Sequence, residues 1–137
     1  MPARVHHVDL AVADLERSLV FYRDLLGPLG WVEEVTYPTY RGTEEVVYLV
    51  RQGALRDGGL GLRQADGGTH RYYDVGIEHF AFEVDRREDV DDAHARCLAS
   101  GANVHCPPEE DRDEPGYYAF FVFDPDGMRV EVFCWER

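Results

Sequence analysis

The phrase His7-Val8-Asp9-Leu10-Ala11-Val12 returns as His79-Phe80-Ala81-Phe82-Glu83-Val84, and this internal repeat constrains the fold more than any other feature of the chain. After each copy comes the same order of signals: an acidic residue, a helical apolar rhythm, and a glycine at Gly27 or Gly101. Self-similarity at this scale marks a supersecondary unit used twice. The 137 residues therefore read as a single domain over 1–137, made of module one, about 4–65, and module two, about 76–136.

Within module one, Arg4–Val12 alternates apolar and polar residues as a strand does. Asp14 then caps a helix in which Leu15, Leu19, Tyr22 and Leu26 recur at steps of three and four, with Gly27 as its stop. Trp31–Tyr37, Val46–Arg51 and Leu60–Gln64 are rich in β-branched and aromatic residues between turn signals, which predicts three more strands in a meander. Asp66–Val75, with Gly67-Gly68 and Tyr72-Tyr73, reads as the linking loop and a lid. Module two repeats the βαβββ order. A strand begins at Ile77, and Asp85 with Glu88 predicts a capping box for a helix ending at Gly101. Ala102–Cys106 is a short strand, Pro107–Gly116 a loop, Tyr117–Phe123 an aromatic strand, Asp124-Pro125-Asp126-Gly127 a turn, and Met128–Trp135 the last strand.

Side chains alternate across a strand, so partners are read at steps of two. Val8, Leu10 and Val12 turn one way and His7 the other; Phe80, Phe82 and Val84 oppose His79; Met128, Val130, Val132 and Cys134 oppose Glu131. The apolar sets suit packing under helices, which leaves His7, His79 and Glu131 on the opposite face. Two imidazoles and a carboxylate are ligands that divalent Fe, Zn, Mn, Ni or Co accepts, and three protein ligands leave room for water or substrate. Taken one at a time, each is an ordinary exposed strand residue. Phe121, Phe133, Trp135 and Arg129 share the face of Glu131 and predict an apolar substrate-binding surface with one cation. Tyr117 has the same parity and offers a catalytic phenol, or simply an aromatic for packing. Asp9 and Glu83 are read as carboxylates orienting His7 and His79, and His6 as turned to the helix side.

These motifs resemble the vicinal oxygen chelate superfamily, the group of glyoxalase I, fosfomycin-resistance transferases, extradiol dioxygenases and bleomycin-resistance proteins. The resemblance rests on His7-x-x-Leu10-x-Val12-x-Asp14-Leu15, Ser18, Phe21-Tyr22 and Leu26-Gly27. In module two it rests on His79-x-Ala81-Phe82 and Asp124-Pro125-Asp126-Gly127-x-x-x-Glu131. It implies an α+β fold in which the modules form a cup-shaped mixed sheet with helices on the outer face, and it matches His7, His79 and Glu131 to the metal ligands. It also implies a homodimer whose sites draw on two chains. Two departures stand out. The fourth ligand of glyoxalase I, a glutamate, falls here at Gly61 or Leu62, and the tyrosine of the dioxygenases and fosfomycin transferases falls at Phe121.

A net charge of −13, without a basic stripe, argues against nucleic acid as a partner. No apolar run approaches the ~20 residues of a membrane span, and Met1-Pro2-Ala3-Arg4 carries no leader signal, so the expected location is cytoplasmic. Cys97, Cys106 and Cys134 read as reduced thiols. The expected function is that of a metal-dependent isomerase, lyase, oxygenase or transferase acting on a small oxygen-bearing substrate. The alternative is a metal-independent protein that sequesters an antibiotic or metabolite, for which the acidity and aromatic face suit a cationic ligand.

Overall fold

The computed structural model describes residues 1–136. Two compact units appear, Met1–Thr69 and a second from His70 onward, and each holds one copy of the repeat. Unit one contains β1 (His7–Val12), α1 (Leu15–Leu26), β2 (Glu33–Pro38), β3 (Glu45–Val50) and β4 (Gly59–Gln64). Unit two contains β5 (Phe80–Glu83), α2 (Arg87–Ala99), β6 (Asn103–Glu110), β7 (Tyr117–Phe123) and β8 (Arg129–Trp135). The βαβββ order is therefore present twice, in an α+β fold.

Each unit forms its own four-stranded mixed sheet, in the order β1-β4-β3-β2 and β5-β8-β7-β6. The first strand lies parallel to the last, and the remaining pairs are antiparallel. A parallel neighbour requires a crossover, which α1 with β2 and β3 provides in one unit and α2 with β6 and β7 provides in the other. The face assignment holds. Leu10, Val12, Leu49, Leu60 and Leu62 are buried with Leu19, Tyr22 and Leu26 of α1, and Phe120, Val122, Val130, Val132 and Cys134 with Val90, Ala93 and Cys97 of α2. One face of each sheet is thus committed to its helix, and the other carries the polar and aromatic side chains. All three cysteines are free thiols.

Several boundaries differ from the expectations, each for a local reason. Asp14 does cap α1, accepting from the Arg17 N–H at 3.1 Å. Gly27, however, keeps a right-handed φ of −55° and leads into a 3-10 turn, Gly27–Leu29; the left-handed stop is Gly30, at φ 99°. Pro28 has no N–H to lose at that turn start and prolongs the coil by a turn. Asp85 caps nothing: Arg86 takes the extended cap position of α2 without a side-chain cap, and its guanidinium pairs with Asp89 at 2.9 Å. Pro107 and Pro108 lie inside β6 instead of a loop. That strand is at the sheet edge and shifts register on both sides of Cys106, the setting in which proline costs no ladder bond. Among the described residues no helix is long and apolar enough to cross a membrane.

Candidate functional site

In unit two the repeat histidine, His79, stands just ahead of β5, where Ala81 pairs with Glu131 of β8. This parallel register carries the imidazole to the carboxylate: His79 Nε2 lies 3.2 Å from Glu131 Oε1. Glu131 is 3% exposed, and its other oxygen, Oε2, accepts the hydroxyl of Tyr117. Burial, and then the hydrogen bond to Glu131, push the Tyr117 phenol well above its usual range, so it remains a donor at neutral pH. Phe133 stacks on the Tyr117 ring at 4.7 Å, and Trp135 meets it edge-on at 4.9 Å. Phe121 lies opposite Glu131 in the ladder and touches the His79 ring at 5.8 Å. His79, Glu131, Tyr117, Phe121, Phe133 and Trp135 thus form one neighbourhood, on the sheet face turned away from α2.

The other ring nitrogen of His79 explains its orientation. Nδ1 lies 2.9 Å from Glu78 Oε1. A carboxylate only accepts, so Nδ1 donates to Glu78, and this bond fixes the plane of the ring with Nε2 set against Glu131 Oε1. Glu78 is held below the usual carboxylate range, chiefly by this bond to His79. The residue read as the orienting carboxylate, Glu83, sits at the far end of β5, opposite Phe133. Arg129 is over the Phe121 ring at 3.7 Å, and it pairs with Glu78 at 3.3 Å and His105 at 3.1 Å, not with Glu131.

Unit one has a different arrangement around His7. His6 precedes β1, so strand alternation does not govern it; its Nδ1 is 3.0 Å from His7 Nδ1 and its Nε2 is 2.8 Å from the Arg56 carbonyl. A carbonyl accepts, so His6 Nε2 donates. With both rings uncharged, its Nδ1 accepts from His7 Nδ1–H and the lone pair of His7 is on Nε2. Asp9 does not hold His7. It accepts the Tyr48 hydroxyl at 2.6 Å, across Gly61, which is paired with both residues. A Cβ on Gly61 would fall 2.5 Å from Asp9 Oδ1 and 2.7 Å from Tyr48 Cε1, so this pair fills the space over Gly61. His7, Asp9, Tyr37, Tyr48 and Arg63 help to line a cavity of about 500 Å³.

His6 and Glu78, which hold the two histidines, were not singled out for that role by the sequence. The available signal was their place, one residue before each repeat histidine and outside the strand.

The distance between His79 Nε2 and Glu131 Oε1 fits two ligands of one ion, since bonds of roughly 2.0–2.2 Å at ordinary angles separate donor atoms by about 3 Å. Among the described residues no group of three His, Cys, Asp or Glu side chains comes together that could hold a metal ion; His79 and Glu131 form a pair.

Residues 4–132 match the family profile described as Glyoxalase/Bleomycin resistance protein/Dioxygenase superfamily. The uncharacterized protein YqjT of Bacillus subtilis (strain 168) is 29% identical over 130 residues, covering 93% of this chain and 96% of its own. A glyoxylase/bleomycin resistance protein/dioxygenase domain from Frankia sp. EAN1pec superposes with a TM-score of 0.78 at 26% identity, over 100% of both chains. A mutant of the genomically encoded fosfomycin resistance protein FosX from Listeria monocytogenes, complexed with Mn(II) and 1S,2S-dihydroxypropylphosphonic acid, shares the fold at a TM-score of 0.66 and 20% identity, over 96% of this chain and 92% of that one.

Proposed function

Because the chain belongs to the Glyoxalase/Bleomycin resistance protein/Dioxygenase superfamily, we propose that it is a metal-dependent enzyme acting on a small oxygen-bearing molecule, with His7, His79 and Glu131 as the ligands of a divalent ion. The observation that carries this reading is the placement of His79 Nε2 3.2 Å from Oε1 of Glu131, with Glu131 buried. That separation suits two ligands of one divalent ion, and a buried carboxylate needs a positive partner. His7, with its Nε2 lone pair free, is the third donor of the set. A fold shared with a protein that holds Mn(II) is consistent with the reading.

The divalent ion supplies Lewis acidity toward a substrate oxygen. The chain's own residues supply the rest. Tyr117, protonated at neutral pH, donates to Glu131 and fixes the direction of its carboxylate. Phe121, Phe133 and Trp135 give the substrate an apolar surface that excludes water. Arg129 contributes a positive charge beside Phe121 for a substrate anion. Glyoxalase-type chemistry with a fourth protein ligand is not part of the proposal, because neither Gly61 nor Leu62 offers a side chain that binds a metal. The proposal includes a homodimer, in which a second copy completes the ligand set, and a cytoplasmic setting, in keeping with three free thiols.

The test is divalent metal content by elemental analysis, on protein purified without chelators or a histidine tag and compared with His79→Ala, alongside the solution mass. Near-stoichiometric metal in the wild type that is lost in the variant is expected, in a particle of twice the chain mass. No metal in either protein, even after incubation with Fe, Zn, Mn, Ni and Co in turn, would refute the enzyme and leave the metal-independent sequestering protein.

A further inference from the structure

Glu78 is the meeting point of three elements. Its Oε1 takes the Nδ1–H of His79 at 2.9 Å, the hydroxyl of Tyr72 at 3.0 Å and Nη1 of Arg129 at 3.3 Å. Tyr72 belongs to the segment that links the repeats, Arg129 opens β8, and His79 leads into β5. Arg129 is itself immobilised, with its guanidinium over Phe121 at 3.7 Å and its Nε on His105. The Tyr72 ring packs against Phe123 at 5.7 Å and His105 at 6.2 Å, with Arg129 5.6 Å above it. Its neighbour Tyr73 is 93% exposed, so Tyr72 alone of the two anchors the segment.

We propose that Glu78 is the positioning residue of the metal centre, and that Tyr72 and Arg129 set it, so that the linking segment is mechanically joined to the candidate ligand His79. The proposal rests on the metal-site reading above. A single bond from a half-exposed carboxylate to an imidazole would let both groups rotate. Two further donors on the same oxygen, one from a packed tyrosine and one from a stacked arginine, remove that freedom. The imidazole is then held in one orientation, with Nε2 aimed at Glu131. From Tyr72 the chain of contacts runs through Glu78, His79 and Glu131 to Tyr117, so a change in the linking segment reaches the metal ligands without crossing the core. Carboxylates behind ligating histidines act in this way in general, and their loss costs about 10–100-fold in metal affinity.

The experiment uses the full chain at one fixed pH. Long-range 15N–1H spectra of the metal-free protein report which nitrogen of His79 carries the proton, with His79→Ala identifying its signals. Zn(II) affinity is measured by competition with a chromophoric chelator. In the wild type a hydrogen-bonded Nδ1–H signal, protected from exchange by Glu78, is expected. Glu78→Gln should weaken that protection and lower the affinity by about 10–100-fold, and Tyr72→Phe should move both readouts the same way by less. Wild-type Nδ1–H protection and affinity in Glu78→Gln would overturn the proposal. If the wild type binds no ion and Glu78→Gln still weakens the Nδ1–H protection, the positioning role stands and the metal-enzyme reading falls. If the wild type binds Zn(II) and neither variant alters either readout, the reverse holds.

Discussion

Replacing Gly61 with alanine probes how unit one builds the wall beside His7. Asp9, Gly61 and Tyr48 occupy one row across β1, β4 and β3, and the Tyr48 hydroxyl reaches Asp9 at 2.6 Å over the bare glycine. The alanine methyl would meet Asp9 Oδ1 at 2.5 Å and Tyr48 Cε1 at 2.7 Å. Neither contact is tolerable, but both neighbours are side chains that can swing, so the expected damage is a broken hydrogen bond and not a broken sheet. A bond to a carboxylate contributes about 1.5–3 kcal/mol, and alanine in a strand recovers about 0.5–1 kcal/mol relative to glycine. The net loss should be about 1–2 kcal/mol in urea unfolding, read as a lower midpoint at unchanged slope. Tyr48→Phe removes the same bond, so the double variant should cost clearly less than the sum of the two single ones. A second readout is spectroscopic. Burial, and then the hydrogen bond to Asp9, push the Tyr48 phenol up to about 12, and Gly61→Ala should bring it toward the ordinary value near 10. A folded pKa above the unfolded one stabilises fully below pH about 10, and that contribution fades as pH rises to about 12. The variant should therefore lose less stability than the wild type over that window. Unchanged stability together with an unmoved Tyr48 titration, read from the difference between wild type and Tyr48→Phe at the phenolate band, would refute the reasoning.

Three other substitutions or probes test separate parts of the framework. Gly58→Ala should cost about 3 kcal/mol or more in urea unfolding, because φ is 118° and the new Cβ would fall 1.9 Å from the His6 carbonyl, a backbone atom that cannot swing aside; the loosened His6 should also release His7 Nδ1 in 15N spectra. Asp124→Ala removes a buried carboxylate whose Oδ1 accepts the Asp126 and Met128 N–H groups at 2.9 and 2.8 Å, and should lower stability by about 2 kcal/mol in the same assay. Cys97, buried in α2 with its thiol pushed up to about 11 by burial, should resist a disulfide reagent at pH 8 in the native protein and react on unfolding. Its contribution to stability is complete below pH about 9 and fades toward about 11, where the unfolded chain alone gains from ionising.

The parts legible in the sequence were those carried by periodicity. Alternation in His7–Val12 and Arg129–Trp135 separated the helix-facing residues from the open face, because a pleated strand with one buried side cannot slip by a residue without exposing its core. The repeat located the strand–helix units because each copy needs the same crossover to bring its first strand beside its last. What failed was decided outside the pattern. Gly27 and Gly30 offer equal licence to stop a helix, and only the Pro28 turn between them selects Gly30. Proline in β6 signals a loop unless the strand is known to be an edge, and edge position is a tertiary fact. The holders of the histidines failed for the same reason. Asp9 and Glu83 were chosen by strand parity, yet His6 and Glu78 lie before their strands, where the backbone is free to fold a side chain back onto its neighbour. One repeat position thus carries an imidazole behind His7 and a carboxylate behind His79. The two copies keep a histidine at the proposed ligand position while differing in what backs it. The proposed site would then have inequivalent imidazoles: in Zn(II) competition titrations, removing Glu78 should weaken ion binding more than removing His6, because a carboxylate strengthens the donor it backs more than an imidazole does.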